Sequence, residues 1–426
     1  MAEIIHPRFI ARKEFFGCLI YDRDIGEYIP FDRDATEIFE LSGKNPVDTV
    51  YSQFSEKFSQ KSFNTFVKLC ENIELLDQNR CFLGVFKNTT EESSHLYSPL
   101  RVHLQVTKEC PLECIHCFSD SGKVQNNELT FKEITGLIDE MVDIGTCEIT
   151  IGGGEPFCRS DMVDIIKYAN KKSINISLST NAVLINKKIS QKLDTLKLKR
   201  LNVSFDGVSQ KTYEFLRGKN TYKKALRGIK FLKEYSSSPC YLHVTLMKQN
   251  LSEIPGLIRL AENLNFEGIQ FDYALPIGRA AGTGITLTYE EACNVRNMAQ
   301  KLQNHTGLKM IIPSIPFKTQ HRGVYHNFGC IGGTQVCYIN AQGFIYPCGF
   351  FGSQPTKENI REATLKELWD NAPLLKLFRE FKGNPTCLGC ESYSTCRGGC
   401  RARALYNYRN LNAPDPYCPH YMKFSK

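Results

Sequence analysis

Between residues 100 and 275 the chain switches regularly between two hydrophobic periods. Six runs, RVHLQVT, CEITI, INISLST, RLNVSFD, YLHVTLM and GIQFDYA, alternate apolar and polar positions. That is the period of a strand with one buried face. Between them, stretches such as FKEITGLIDEMVDIG and NTYKKALRGIKFLKEY repeat apolar residues three and four apart, the spacing of an amphipathic helix. Six β/α units predict an α/β fold, a parallel sheet closed or partly closed into a barrel. In such folds ligands sit at the C-terminal ends of the strands.

The flanks read differently. FIARKEFF, GCLIYDR and EYIPFD predict three strands over residues 10–33, with a turn at Asp24-Ile25-Gly26. Asp34-Ala35-Thr36-Glu37 opens a helix that Gly43 ends, and two more helical patterns lie near 46–58 and 61–77. A small domain over 1–90 follows, and the polar stretch KNTTEESSH at 87–95 reads as a linker. The barrel occupies 100–285. Residues 286–329 connect, through a helix at EEACNVRNMAQKLQN, to a loop-rich region, 330–426, holding eight cysteines.

A chain of 426 residues with 42% hydrophobic and 23% charged positions can bury two or three cores. Its net charge of +8 is uneven: residues 1–100 hold 11 basic and 16 acidic side chains, the remainder 42 and 29. The basic body suits an acidic partner such as a peptide or nucleotide, or is a solvated surface. The densest run, KKISQKLDTLKLKR at 187–200, spaces Ile189, Leu193 and Leu196 as a helix with a wet lysine face. It has no aromatic residues to stack bases, so nucleic-acid binding is not expected. No apolar run approaches the ~20 residues of a membrane span. The start, MAEIIHPRFIARKEFFG, has no signal-peptide pattern, so a cytoplasmic, reducing location is expected. There, eighteen cysteines point to metal rather than to disulfides.

Cys110, Cys114 and Cys117 stand directly after the first barrel strand. Three thiols on one short loop fit a metal centre with one position left open. A closed zinc site needs a fourth ligand, which His116 or His103 could supply. The spacing C-x3-C-x2-C resembles the radical SAM superfamily. The resemblance implies a [4Fe–4S] cluster on these thiolates, with S-adenosylmethionine (SAM) on the free iron and a 5′-deoxyadenosyl radical as its product. Further motifs stand at later strand ends. Gly153-Gly154-Glu155-Pro156 is similar to the family's GGEP motif, which implies contacts to the SAM amino group. Thr180 and Asn181 resemble its ribose and carboxylate contacts. Ser204, in S-x-D-G with Asp206, and Arg217 resemble its carboxylate site.

The C-terminal cysteines resemble the SPASM domain: Cys330, then Gly343-x4-Cys348, then Cys387-x2-Cys390-x5-Cys396-x3-Cys400, and finally Cys418, with Cys337 as an eighth thiol. The resemblance implies two auxiliary [4Fe–4S] clusters, one on Cys330, Cys337, Cys348 and Cys400, the other on Cys387, Cys390, Cys396 and Cys418. That makes three clusters in all, with an external flavodoxin- or ferredoxin-type electron donor. The remaining Cys18, Cys70, Cys81, Cys147, Cys158, Cys240 and Cys293 read as buried small residues.

Strands followed by three helices ahead of such a core resemble the PqqD-like, winged-helix recognition domain of peptide maturases. This implies a precursor peptide held by its leader at 1–90, added as a strand beside GCLIYDRDIGEYIPFD with the helix after Lys61 lining the groove. The expected activity is oxidative modification of a ribosomally made peptide, by thioether or carbon–carbon crosslinking or by backbone excision. The sulfatase-maturating branch carries an Asp after the Cys of G-x4-C, where this chain has Gly349. Asp272, Tyr273 and Arg279, at the end of the sixth strand, are either substrate-facing or scaffold. The alternatives are a related enzyme acting on a small molecule or a protein side chain, and a zinc-stabilised binding module.

Overall fold

The computed structural model describes residues 7–87, 89, 94–312, 329–383 and 385–420. Most of the expected linker at 87–95 and residues 313–328 of the connecting region therefore lie outside the described residues, as does the end of the cysteine-rich region. Two compact units result: residues 1–99 with 140–147, and residues 100–139 with 148–426.

In the first unit, strands β1 (Phe9–Glu14), β2 (Gly17–Asp22) and β3 (Glu27–Asp32) form an antiparallel meander. A short β4 (Val85–Lys87), where sequence reading begins a linker at Lys87, pairs parallel with β1. The sheet order is β3-β2-β1-β4, so β3 is an edge. Helix Arg33–Ser42 starts one residue before the Asp34 expected to open it. The Asp32 side chain accepts from Ala35 N at 2.9 Å, satisfying an otherwise orphaned donor. The pattern at 46–58 yields only the short helix Val47–Val50 and turns, and Gln60–Asn72 is the third helix. Phe9, Ala11, Cys18, Ile20 and Phe39 form one apolar cluster, and Ile38, Val50, Phe54 and Phe63 another.

The second unit is built on a nine-stranded sheet. Its strands are β5 (Arg101–Gln105), β6 (Glu148–Gly152), β7 (Asn175–Thr180), β8 (Arg200–Ser204), β9 (Cys240–Leu246), β10 (Gly268–Tyr273), β11 (Lys309–Ile311), β12 (Val336–Ile339) and β13 (Ile345–Tyr346). The order is β11-β10-β9-β8-β7-β6-β5-β12-β13, parallel throughout except between β12 and β13. The six expected strands are its centre, giving the expected α/β partial barrel. Sequence reading missed β11, β12 and β13, which are too short to show a period. Along each central strand one face is fully buried, as with Ile149, Ile151, Leu201, Val203, Leu242 and Val244. The other face carries half-buried polar residues, among them Thr150, Ser177, Asn202 and His243.

Candidate active site

Cys110, Cys114 and Cys117 lie on the loop between β5 and helix Phe131–Asp143, held by backbone hydrogen bonds on several sides. Cys110 N donates to Gly122 O (2.9 Å), and Glu113 N and Ile115 N donate to the carbonyls of Arg217 and Leu216 (3.3 and 3.0 Å). Arg279 closes the loop from the β10 end. Its Nε donates to Cys114 O (2.7 Å), its Nη1 to Ser121 O (2.6 Å), and its backbone N to Cys117 O (3.0 Å). Arg279 is thus a strut of the cysteine loop. Tyr273 is a core residue, 4% exposed, with its ring 5.3 Å from that of Tyr417.

Burial pushes the Cys110 and Cys114 thiols up to about 11 and about 12, so they stay protonated at neutral pH until a metal displaces the proton. The ring of His116, one of the two histidines that could complete a zinc site, is turned to Asp206, with Nε2 at 3.2 Å from Oδ2. Burial lowers it to about 4, which keeps it neutral. Among the described residues, no three Cys, His, Asp or Glu side chains converge as a single metal ion requires. A single tetrahedral zinc would need sulfurs only about 3.8 Å apart, whereas a four-iron cluster takes three thiols from one loop at wider spacing.

The loop after β6 is laced to the strand leading into Cys110. Gly154 N donates to Thr107 O and Glu155 N to Glu109 O, both at 2.8 Å. A Cβ on Gly154 would lie 2.1 Å from Glu109 O, and Gly153 has φ +146°, so only glycine permits this approach. The Glu155 carboxylate is fully buried and accepts from Thr180 Oγ1 (2.8 Å), Asn181 N (2.7 Å) and Phe157 N (3.3 Å). Burial pushes it up to about 7 against the pull of these donors. Pro156 follows at the start of a short helical turn, and Asn181 Nδ2 lies 3.6 Å from Cys110 Sγ.

The loop after β8 brings the other residues singled out in the sequence to the same place. Ser204 ends β8, opposite His243 of β9. Asp206 is fully buried, accepts from Thr245 N at 2.7 Å and lies 2.7 Å from Arg217 Nε. Burial opposes the Arg217 charge, but Asp206 more than offsets this and holds it above its ordinary value. Sequence reading missed His243: its Nε2 lies 2.6 Å from Asp272 Oδ2, which also accepts from Gln270 Nε2 at 2.9 Å. Buried His103 Nε2, Gln105 Nε2 and Asn202 Oδ1, on the same polar strand positions, have no hydrogen-bond partner among the described residues. Such groups suit a face that receives a polar ligand.

In the C-terminal region Cys330, Cys348 and Cys400 pack against one apolar cluster that includes Tyr338, Tyr346 and Phe351. Cys337, fully buried in β12, is placed differently: its charged neighbour is Arg379, and burial pushes its thiol up to about 12. On β12 it lies opposite buried Val102, on the other face of the strand from Tyr338. Cys387 and Cys390 share a turn, with Cys390 N donating to Cys387 O at 3.0 Å, and Cys396 ends the next helical turn. Asp415 accepts from Cys400 N (2.6 Å) and from Arg403 Nη2 (2.7 Å), bracing the segment that precedes Cys418. Phe118, beside Cys117, meets Phe350, two residues after Cys348, edge to face with ring centroids 5.3 Å apart. Of the unassigned cysteines, Cys18, Cys70, Cys147 and Cys240 are buried as expected, while Cys81, Cys158 and Cys293 are half-buried.

Comparison with known proteins places these sites in a family. Residues 104–261 match the radical SAM superfamily, and residues 330–391 match the SPASM iron–sulfur cluster-binding domain. This chain carries a radical SAM domain and a SPASM domain. Curated relatives of the enzyme include an AdoMet-dependent heme synthase of Methanosarcina barkeri, 29% identical over 343 residues, covering 75% of this chain and 96% of that protein. Another is mycofactocin maturase MftC of Mycobacterium ulcerans, 27% identical over 335 residues, covering 77% and 90%. Among solved structures, Streptococcus suis SuiB bound to precursor peptide SuiA superposes with a TM-score of 0.77 at 19% identity, covering 96% of this chain and 98% of that one. SuiB bound to S-adenosylmethionine matches with a TM-score of 0.76 at 19% identity, covering 97% of this chain and 99% of that one. Among the described residues, no helix of the radical SAM enzyme is long and apolar enough to cross a membrane.

Proposed function

We propose that this enzyme oxidatively modifies a ribosomally made precursor peptide whose leader docks on the first unit. The observation that carries the reading is the exposed edge β3 beside an apolar helix face. Phe31 of β3 meets Phe66 of helix Gln60–Asn72 edge to face at 6.4 Å, and Leu69, one turn on, is 50% exposed. A peptide added along β3 would find backbone partners on the strand and side-chain pockets on the helix. The likeness to SuiB extends over 96% of this chain and so takes in this unit, whereas the heme synthase match covers 75%.

In this reading Cys110, Cys114 and Cys117 hold the first cluster. Gly153, Gly154 and Pro156 shape the pocket rim, and Glu155 locks the loop carrying Thr180 and Asn181. Ser204, Asp206 and Arg217 present the carboxylate site. The cluster with bound SAM supplies the radical that removes a substrate hydrogen atom. The cysteines of the SPASM domain would hold auxiliary clusters, which would supply electron transfer between the substrate and an external flavodoxin- or ferredoxin-type protein. The chain's own contribution is positional. The loop lacing described above fixes the three thiols, and the buried Asp206–Arg217 pair keeps a cation beside them.

The 29% identity to a heme synthase favours one rival, oxidation of a porphyrin-type small molecule. Anaerobic coexpression with any short peptide encoded beside the gene, followed by mass spectrometry, separates the two. A loss of two hydrogens, or a larger loss from backbone excision, is expected. An unchanged peptide together with turnover of an iron porphyrin would overturn the peptide reading.

A further inference from the structure

We propose that the basic face formed by helices Lys187–Asp194 and Tyr222–Tyr235 is where an acidic one-electron carrier of the flavodoxin type docks to reduce the first cluster. This rests on the reading that an external carrier serves the cluster on Cys110, Cys114 and Cys117, and it gives that carrier a landing surface. One electron passes. The reduced carrier loses it, the cluster gains it, and no bond is made or broken.

Helix periodicity lays out the face. In helix Tyr222–Tyr235, Ala225, Gly228, Ile229 and Leu232 are buried. With about 3.6 residues per turn, Lys223, Arg227 and Lys230 form a stripe on the opposite side, and all three are exposed. In helix Lys187–Asp194, Ser190 and Leu193 are buried, while Lys188 and Lys192, one turn apart, are exposed on the far side. The two helices pack side by side, with Lys187 Nζ 4.6 Å above the Tyr235 ring. Among the described residues, none of these outward cations is paired with a carboxylate. The exposed acids of the two helices, Asp194 and Glu234, stand in the last turns, and Asp194 already accepts from Ser237 N at 2.8 Å.

Local stability does not account for this arrangement. The first turn of a helix favours acidic side chains and disfavours cations. Neither helix has an acid there; they carry Lys187 and Lys188, and Lys223 and Lys224, instead. Position does account for it. The buried side of helix Tyr222–Tyr235 lies against the turn that reaches the cluster thiols. A Cβ on Gly228 would sit 1.9 Å from Ala182 O, and Asn181, the residue before, places its Nδ2 3.6 Å from Cys110 Sγ. One helix, about 10 Å across with its side chains, separates the basic face from that turn. An acidic carrier is drawn to such a face and oriented by it, which holds its redox group over the Asn181 turn.

The test compares two reductants on the holoenzyme without peptide, by the 5′-deoxyadenosine released from SAM. Flavodoxin hydroquinone must dock, whereas dithionite, a small ion, need not. The charge reversal Lys223→Glu/Arg227→Glu/Lys230→Glu should slow flavodoxin-driven release about tenfold and leave dithionite-driven release within about twofold of wild type. Flavodoxin binding to the holoenzyme, followed by biolayer interferometry, should weaken by a similar factor, and in the wild type should weaken as salt is raised. A second variant, Lys188→Gln/Lys192→Gln on the other helix, should shift affinity in the same direction and guards against misfolding of the first. Unchanged flavodoxin affinity and turnover in both variants would overturn the docking face. Equal slowing with both reductants would overturn it too, since that means damage to the SAM site. Retained flavodoxin turnover with lost binding of a coexpressed precursor peptide would give the face to an acidic substrate instead. If the wild type releases no 5′-deoxyadenosine with dithionite, the first-cluster reading fails and the docking face falls with it. If dithionite works and neither reduced flavodoxin nor reduced ferredoxin does, only the docking face fails.

Discussion

Asp206 is where three buried groups meet: the Arg217 guanidinium, the His116 ring and the Thr245 amide. Asn at this position would leave Arg217 charged, buried and unpaired, which typically costs about 3–5 kcal/mol. Asp206→Asn should therefore lower the urea midpoint markedly and weaken SAM binding, and adding Arg217→Gln should recover part of the stability. A wild-type midpoint would show that the pair is solvated. At this scale the sequence was legible where a motif exists. Gly153 to Pro156, Asn181, Asp206 and the loop cysteines all come together. His243 was not legible, because one histidine in YLHVTLM has no periodic or spacing signature. Its meaning comes from Asp272, a residue of the neighbouring strand. Arg279 was ambiguous for the same reason, since its acceptors are carbonyls more than 150 residues away in sequence.

At the scale of elements, two helical glycines test how close packing supports the site. Gly228, in helix Tyr222–Tyr235, lies so close to the turn after Asn181 that a Cβ would sit 1.9 Å from Ala182 O. Gly136, in helix Phe131–Asp143, has nothing within 4 Å. Helix propensity alone favours alanine over glycine by about 1 kcal/mol at either position. Gly136→Ala should raise the thermal midpoint by that order. Gly228→Ala should lower it, by roughly 1–3 kcal/mol of overpacking strain, and should weaken SAM binding by shifting the Asn181 turn. Equal behaviour of the two variants would mean that the helix can move away from Ala182 freely. The central strands were readable because their alternation is long and regular. The short β4, β11, β12 and β13 were not, because two to four residues carry no period and are strands only by virtue of the neighbour they pair with.

At the scale of the whole molecule, the proposed leader site makes a distinct prediction. Leu69 is half-exposed on helix Gln60–Asn72, so Leu69→Glu should leave the fold intact. It should weaken leader-peptide binding about tenfold, or roughly 1.4 kcal/mol, by fluorescence anisotropy with a labelled leader. Undiminished affinity would move the docking site elsewhere. The charge division first seen in the sequence, an acidic start and a basic body, falls close to the boundary between the two compact units.

By itself the sequence determined the α/β alternation, the three-cysteine loop and the motifs at successive strand ends, because period and spacing are local properties written along the chain. Only the tertiary structure decided which side of β12 Cys337 faces, that Arg279 braces the cysteine loop, and that His243 and Asp272 form a pair. Each of these depends on strand register or on contacts between segments far apart in sequence, and a one-residue change of register would reverse the first.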